Sequence, residues 1–195
     1  KEGYTFNGWT VNGTAYESGA TFTMPAKDVA IVGTYTVNQY DAIFYVDGAE
    51  YHKFSGAYQA SITAPTAPEK EGYTFNYWTK QGSTSKVNFP QRMPIGGVNY
   101  DAKFTVNKYT ITYKVDGAVV KTETYEYGAA VTPYTYVPAE GVSFSGWGDQ
   151  VPATMPANNV DVYATTGIAN YTVTFTINGE EYETLTFAYG AAVTA

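Results

Sequence analysis

The sequence has no cysteine, one histidine (His52), one arginine (Arg92) and one leucine (Leu185). Without cysteine, disulfides, thiolate catalysis, Cys-ligated zinc and iron–sulfur clusters are excluded. The compartment stays open, because absence of cysteine fits any of them. A single histidine rules out a multi-histidine metal site. Basic residues number 11 against 18 acidic, a formal charge of −7. A basic face for nucleic acid or an anionic bilayer therefore cannot be assembled. No apolar run is long enough to span a bilayer, and no basic-then-apolar signal segment opens the chain. Neither nucleic-acid binding nor membrane insertion is expected.

Charged residues are also scarce, at 15%, where ordinary domains carry about 25%. What fills the space is aromatic: 17% of the chain, including 20 Tyr, with 19 Gly and 9 Pro. Helical proteins lean on Leu, Ala, Glu and Lys, whereas Tyr, Thr, Val and Phe fit a pleated surface and Gly and Pro serve turns. The composition predicts a mainly β protein, α+β at most.

Internal repetition sets the organisation. Lys1–Trp9 reads KEGYTFNGW, Lys70–Trp78 reads KEGYTFNYW and Glu140–Trp147 reads EGVSFSGW. Trp9, Trp78 and Trp147 lie 69 residues apart. Met24-Pro25, Met93-Pro94 and Met155-Pro156 are spaced 69 and then 62. Val46-Asp47-Gly48, Val115-Asp116-Gly117 and Ile177-Asn178-Gly179 keep those spacings, as do Tyr40, Tyr109 and Tyr171. The seven-residue difference is confined to the stretch between Trp and Met-Pro. A clean deletion there marks a surface loop or short hairpin.

Within a repeat, Tyr109–Val115 and Tyr171–Ile177 alternate apolar residues with Thr or Lys, the period of a half-buried strand. Asp-Gly and Asn-Gly are the dipeptides of two-residue hairpin turns, whose central residues need positive φ. A return strand follows over Val119–Tyr127 or Tyr182–Tyr189. Next come a Pro-bearing crossing (Ala64–Pro68, Pro133–Pro138) with room for a helical turn or two at most, and the GYTF strand ending in Trp. After the variable segment and Met-Pro, the last strand is Val29–Val37 or Val160–Ala164.

This pattern resembles the Listeria–Bacteroides repeat family, which includes the B repeat of internalin B. The likeness rests on Y-x-[AVI]-x-[FY]-x-V-D-G, on GYTF-x-x-W at Gly3–Trp9 and Gly72–Trp78, and on M-P-A-[KN]-[DN]-V at Met24–Val29 and Met155–Val160. The resemblance implies β-grasp-like repeats of 62–69 residues in an elongated array, on secreted, wall-attached bacterial surface proteins. It assigns no catalytic residue.

Candidate sites divide between chemistry and structure. The three tryptophans suit either sugar-stacking platforms or core anchors, and their fixed place beside the Phe of GYTF favours the core. Twenty tyrosines exceed what a core needs, so Tyr-rich faces are candidates for binding a host protein or glycan. Asp47-Gly48 and Asp116-Gly117 lack the alternating oxygen ligands of a calcium loop and read as turns. Asn158, Asn159 and Asp161 form the densest oxygen cluster, in no standard loop spacing. His52 reads as an exposed strand residue. Glu2, Glu71 and Glu140 recur with the repeat, and Glu123, Glu126, Glu180, Glu181 and Glu183 scatter over hairpins, which is the distribution of structure rather than of an acid–base pair. Asn12 and Asn170 head glycosylation-type triplets. Lys103, Lys114 and Lys121 are the strand lysines an isopeptide cross-link would use, and they read as solvated.

The sequence thus points to no enzyme, cofactor, metal or catalytic residue. It reads as a partial repeat (1–39), complete repeats at 40–108 and 109–170, and a second partial repeat (171–195). A permuted phase, with units near 1–69, 70–138 and 139–195, is the alternative, and the partners of strand Tyr40–Val46 distinguish the two. The expected role is a stalk or spacer in a bacterial surface protein, with adhesion as the alternative. Expected partners are neighbouring repeats, a host protein or glycan, and other copies joined head to tail through the half repeats.

Overall fold

The computed structural model describes residues 1–194; Ala195, the last residue of the expected C-terminal partial repeat, lies outside the described residues. The protein is nearly all β, with 54% of residues in strands and 2% helical. It divides into two compact units, residues 1–70 with 75–105, and residues 71–74 with 106–195.

The first unit holds β1 (Tyr4–Val11), β2 (Thr14–Tyr16), β3 (Ile31–Val37), β4 (Gln39–Val46), β5 (Ala49–Ala57), β6 (Ser61–Ile62), most of β7 (Tyr73–Lys80), β8 (Gln91–Arg92) and most of β9 (Val98–Val106). The second holds β10 (Lys108–Val115), β11 (Ala118–Glu126), β12 (Val142–Phe144), β13 (Val160–Ala164), β14 (Thr166–Ile168), β15 (Asn170–Ile177) and β16 (Glu180–Ala188).

Turn chemistry explains the hairpins. Asp47-Gly48, Asp116-Gly117 and Asn178-Gly179 all take positive φ, near 50° and then near 85°, closing β4–β5, β10–β11 and β15–β16. Each hairpin carries a register shift at the same place, after Phe44, Tyr113 and Phe175. Asn12-Gly13 adopts the same turn (φ 51° and 84°) and joins β1 to the short β2. The first copy's variable segment is therefore partly a hairpin. In the third copy the shortened segment forms a single 3-10 turn at 148–150. No helical turn lies in the Pro-bearing crossings among the described residues, since proline bars the preceding residue from helical backbone and removes a donor.

The hairpin's first strand is the centre of each complete sheet. In the first unit the order is β5-β4-β9-β7, with β4 and β9 parallel in the register Ala42↔Val98 to Tyr45↔Asp101. In the second it is β11-β10-β13, parallel from Ile111↔Val160 to Val115↔Ala164, with β12 and β14 paired separately. Strand Tyr40–Val46 thus pairs within 49–56 and 98–101.

Two cores result. Ala42, Phe44, Ile62, Trp78, Met93 and Tyr100 form one. Ile111, Tyr113, Val115, Trp147, Met155, Val162 and Ala164 form the other. Each core Trp has two near rings: Trp78 lies 5.0 Å from Phe44 and 5.4 Å from Phe75, and Trp147 lies 4.9 Å from Tyr113 and 5.0 Å from Phe144, with Tyr51 beside the first and Tyr134 and Tyr136 beside the second beyond 6 Å. The Trp147 indole N–H donates to Tyr134 O in the crossing at 2.6 Å. Trp9 meets Phe6 at 5.2 Å but stays 43% exposed, against 3% for Trp78 and 7% for Trp147. The two core tryptophans are anchors rather than sugar platforms.

Replacing Trp78 with Ala is expected to cost roughly 3–5 kcal/mol, and the same change at Trp9 about 1 kcal/mol or less, as at exposed positions. Denaturant unfolding of the two variants, followed by far-UV circular dichroism, checks the contrast. Equal losses would remove the distinction between an anchored and an unanchored tryptophan.

Candidate functional site

The feature that recurs most faithfully is the joint between successive repeats. One residue separates the last strand of one repeat from the first strand of the next: Asn38 between β3 and β4, Asn107 between β9 and β10, and Ala169 between β14 and β15. Both backbone groups of each linker are engaged. The N–H donates to the buried glycine of the preceding GYTF-type strand (Asn38 to Gly3 O, 2.9 Å; Asn107 to Gly72 O, 2.8 Å; Ala169 to Gly141 O, 2.9 Å). The C=O accepts from a tyrosine that ends the next hairpin (Tyr58, 2.8 Å; Tyr127, 2.9 Å; Tyr189, 2.8 Å).

The same tyrosines lay their rings on the same glycines. A Cβ on Gly3, Gly72 or Gly141 would stand 2.2, 2.1 or 2.2 Å from the ring of Tyr58, Tyr127 or Tyr189. Each glycine also sits near φ +73°, the left-handed region that side chains resist. Two independent constraints thus demand glycine here. In the first two joints the linker side chain adds a clamp. Asn38 Oδ1 accepts from Thr5 Oγ1 and Asn107 Oδ1 from Thr74 Oγ1, both at 2.6 Å. Their amide nitrogens donate to Tyr40 and Tyr109 Oη at 3.3 and 3.4 Å. Ala169 cannot make either contact.

The other residues singled out in the sequence are structural or solvated. Asp116 caps the start of β14, accepting from Thr166 N–H at 3.1 Å and Thr166 Oγ1 at 2.5 Å. These bonds, the side-chain one first, hold its carboxyl below the usual aspartate range. Asp47 pairs with Lys70 at 2.8 Å. In the Asn158–Asp161 cluster, Asn159 Oδ1 accepts from Thr110 N–H at 2.9 Å and Asp161 pairs with Lys114 at 2.7 Å. No group of three metal-ligating side chains occurs among the described residues. His52 is exposed, 5.9 Å from the Phe44 ring. Glu2, Glu71, Glu140, Glu180 and Glu183 are exposed. Glu181 accepts from Thr184 at 2.9 Å and Glu126 approaches Lys108 at 3.8 Å. Glu123 accepts from Tyr125 Oη at 2.9 Å, which with burial pushes that phenol up to about 12. Lys121 faces Glu123 at 3.8 Å, and Lys103 lies half-buried on β9. Asn12 sits in its turn, and Asn170 opposes Ala188 in the last hairpin.

Comparison with known proteins matches residues 40–103 and 109–165 to the Listeria-Bacteroides repeat domain, and residues 1–39 to the divergent InlB B-repeat domain. The chain belongs to the Listeria–Bacteroides repeat family. It is 39% identical over 112 residues to internalin H of Listeria monocytogenes, covering 55% of this chain and 20% of that protein. It is 29% identical over 194 residues to a protein of Evansella cellulosilytica described by name as a Gly-rich membrane protein, covering 92% of this chain and 22% of that one. A second membrane protein by name, from the same organism, is 26% identical over 178 residues, or 85% of this chain and 27% of that one. The chain therefore spans about a quarter or less of the length of these relatives. The family is typical of non-enzymatic, internalin-like surface proteins. No helix among the described residues is long and apolar enough to cross a membrane.

Sequence reasoning treated the glycine of GYTF as part of a strand motif and missed its partner. The signal was present: Tyr58, Tyr127 and Tyr189 each follow a hairpin and precede Gln-Ala or Gly-Ala, and the first two stand 13 residues before Glu71-Gly72 and Glu140-Gly141.

In this Listeria–Bacteroides repeat, Gly72→Ala is expected to destabilise well beyond the roughly 1–2 kcal/mol of left-handed strain alone. Gly82→Ala, at φ +77° but with open space around it, should show the strain without the clash. Chemical unfolding of both variants measures the difference, and equal losses would show that the Tyr127 ring yields. A second expectation concerns acid. Because the Asp116 carboxyl is held below its unfolded value of about 3.9, its contribution is present above that pH and lost as pH falls through the folded value. Asp116→Asn should flatten the acid limb of the stability curve below about pH 4, and an unchanged limb would mean the Thr166 bonds do not persist in solution.

Proposed function

We propose that this chain is a non-catalytic spacer region of a bacterial cell-surface protein, built from a partial repeat at 1–39, complete β-grasp-like repeats at 40–108 and 109–170, and a second partial repeat. The single observation that carries this reading is the joint. The same glycine–linker–tyrosine arrangement follows three successive repeats, whereas a binding or catalytic site is usually assembled once. Each linker is one residue long with both of its backbone groups bonded, which suits a part whose task is to connect neighbours rather than to bind a ligand. The sheet order of the 40–108 copy, with a parallel pair at its centre, supports the β-grasp assignment. The placement of its six core residues inside 40–108 supports the repeat boundaries.

The experiment is replacement. In the surface protein that carries this region, residues 40–108 are exchanged for one unrelated β domain of similar span. A spacer role predicts that attachment to host cells or glycans, measured by cell binding, survives the exchange. It also predicts that isolated residues 1–195 bind neither host matrix proteins nor a glycan array. Loss of attachment on exchange, or direct binding by the isolated region through its exposed tyrosines, would establish the adhesive role instead.

A further inference from the structure

Each complete repeat is entered on one strand and left on that strand's parallel neighbour. In the 40–108 copy the chain enters on β4 and leaves on β9, and the two lie side by side from Ala42↔Val98 to Tyr45↔Asp101. In the 109–170 copy it enters on β10 and passes out through β13 and β14. There β10 and β13 lie side by side from Ile111↔Val160 to Val115↔Ala164. The N-termini of two parallel strands lie at the same end of the sheet. A pull on the flanking chain therefore draws the entry strand by its N-terminus and the exit strand by its C-terminus, in opposite directions along their length. The hydrogen bonds between them, evenly spaced in a parallel pair, are then loaded in shear and share the force. A pair pulled apart from one end loses its bonds one after another instead.

The second repeat adds side-chain ties across the same seam. At the entry end, Asn159 Oδ1 accepts from the Thr110 N–H at 2.9 Å. Midway, Lys114 of β10 meets Asp161 of β13 at 2.7 Å. At the far end the Asp116 N–H donates to Ala164 O at 3.0 Å, and the Asp116 carboxylate accepts from both the N–H and the hydroxyl of Thr166. Each tie joins the entry strand or its turn to the exit path, so sliding the strands stretches all of them. Their equilibrium weight is small. The Lys114 and Asp161 side chains, for example, are 23% and 47% exposed, and exposed ion pairs contribute little to net stability. The oxygen cluster that stood out in the sequence thus spends two of its members, Asn159 and Asp161, on the seam.

We propose that each complete repeat carries tension along the chain by shear between its entry and exit strands, and that Asp116, Asn159 and Asp161 raise the force at which the second repeat gives way. This deepens the spacer reading and rests on it, because a spacer in a surface protein lies in the path of any pull on that protein. Forced unfolding is governed by the unfolding barrier rather than by net stability. A seam whose bonds must break together supplies such a barrier in a small sheet.

Single-molecule force spectroscopy tests this. The chain has no cysteine, so the whole 195-residue chain can be gripped at chosen exposed positions. Lys108→Cys with Ile168→Cys pulls β10 against the exit path in shear, and Lys108→Cys with Asn158→Cys pulls the same two strands apart from one end; all three residues are exposed. At one loading rate the first geometry is expected to rupture at several times the force of the second. Gln39→Cys with Thr105→Cys, against Gln39→Cys with Ile95→Cys, makes the same comparison on β4 and β9 and decides the matter should a chain of the first set not fold. Asp116→Ala separates a tie from a general stabiliser. Its bonds to Thr166 lie at the end away from Lys108 and Asn158, so the change should lower the shear force and leave the one-ended force as it was. Equal forces in the two geometries overturn the proposal. An Asp116→Ala loss of the same fraction in both overturns the assignment of the ties. Either result leaves the spacer reading standing, since exchange of residues 40–108 tests that reading through attachment and not through force.

Discussion

Everything in this fold depends on a tryptophan that its own half of the repeat cannot cover. The GYTF strand delivers the indole next to one phenylalanine, at 5.0–5.4 Å in all three copies, and that single ring leaves Trp9 43% exposed. Burial below a tenth requires the aromatic of the hairpin, Phe44 or Tyr113. That ring arrives only if the hairpin's first strand lies parallel to the last strand of the repeat. A parallel pair cannot be joined by a tight turn, so the chain must run through the crossing, the GYTF strand and the variable segment before it closes the sheet. The repeat length follows from this one requirement.

The joint is a consequence of the same geometry. The last strand of each repeat passes straight into the first strand of the next, and one residue suffices to connect them. A connection that short leaves two backbone groups that cannot reach solvent freely, and each finds a fixed partner, glycine on one side and tyrosine on the other. The glycine has no side chain because the tyrosine ring needs that space. Asn at the linker adds two further bonds in two joints, and Ala169 forgoes them. The backbone arrangement is nonetheless unchanged at Ala169, which separates what forms the joint from what tightens it.

Much of this was legible in the sequence because the signals were local or periodic. Asp-Gly and Asn-Gly fix hairpins through φ alone, and alternation over Tyr109–Val115 fixes which side chains face inward. The recurrence of Trp beside Phe correctly placed Trp78 and Trp147 in cores. The Pro-bearing crossings were the weaker reading: residues that could have held a helical turn instead run extended, and the only such turn among the described residues follows Trp147. Asn12-Gly13 was read as a glycosylation-type triplet although it is the same turn dipeptide as its hairpin counterparts. The joint was invisible for a different reason. Its partners lie 55 residues apart in the first two cases and 48 in the third (Gly3–Tyr58, Gly72–Tyr127, Gly141–Tyr189), and no local pattern links a glycine to a ring at that distance.

That shortening from 55 to 48 shows where the repeat tolerates change. The seven residues lost in the third copy come from between Trp147 and Met155, where a 3-10 turn at 148–150 replaces the longer excursion, and the strand corresponding to β7 is only the three residues of β12 before the Trp. Trp147 remains 7% exposed and its joint keeps the same two backbone bonds. The variable segment contains neither the Trp, its GYTF-type Phe, the hairpin aromatic nor the linker, and the buried indole and the joint both survive its shortening in the third copy. The loop is thus cut while the buried indole and the two backbone bonds of the joint stay constant.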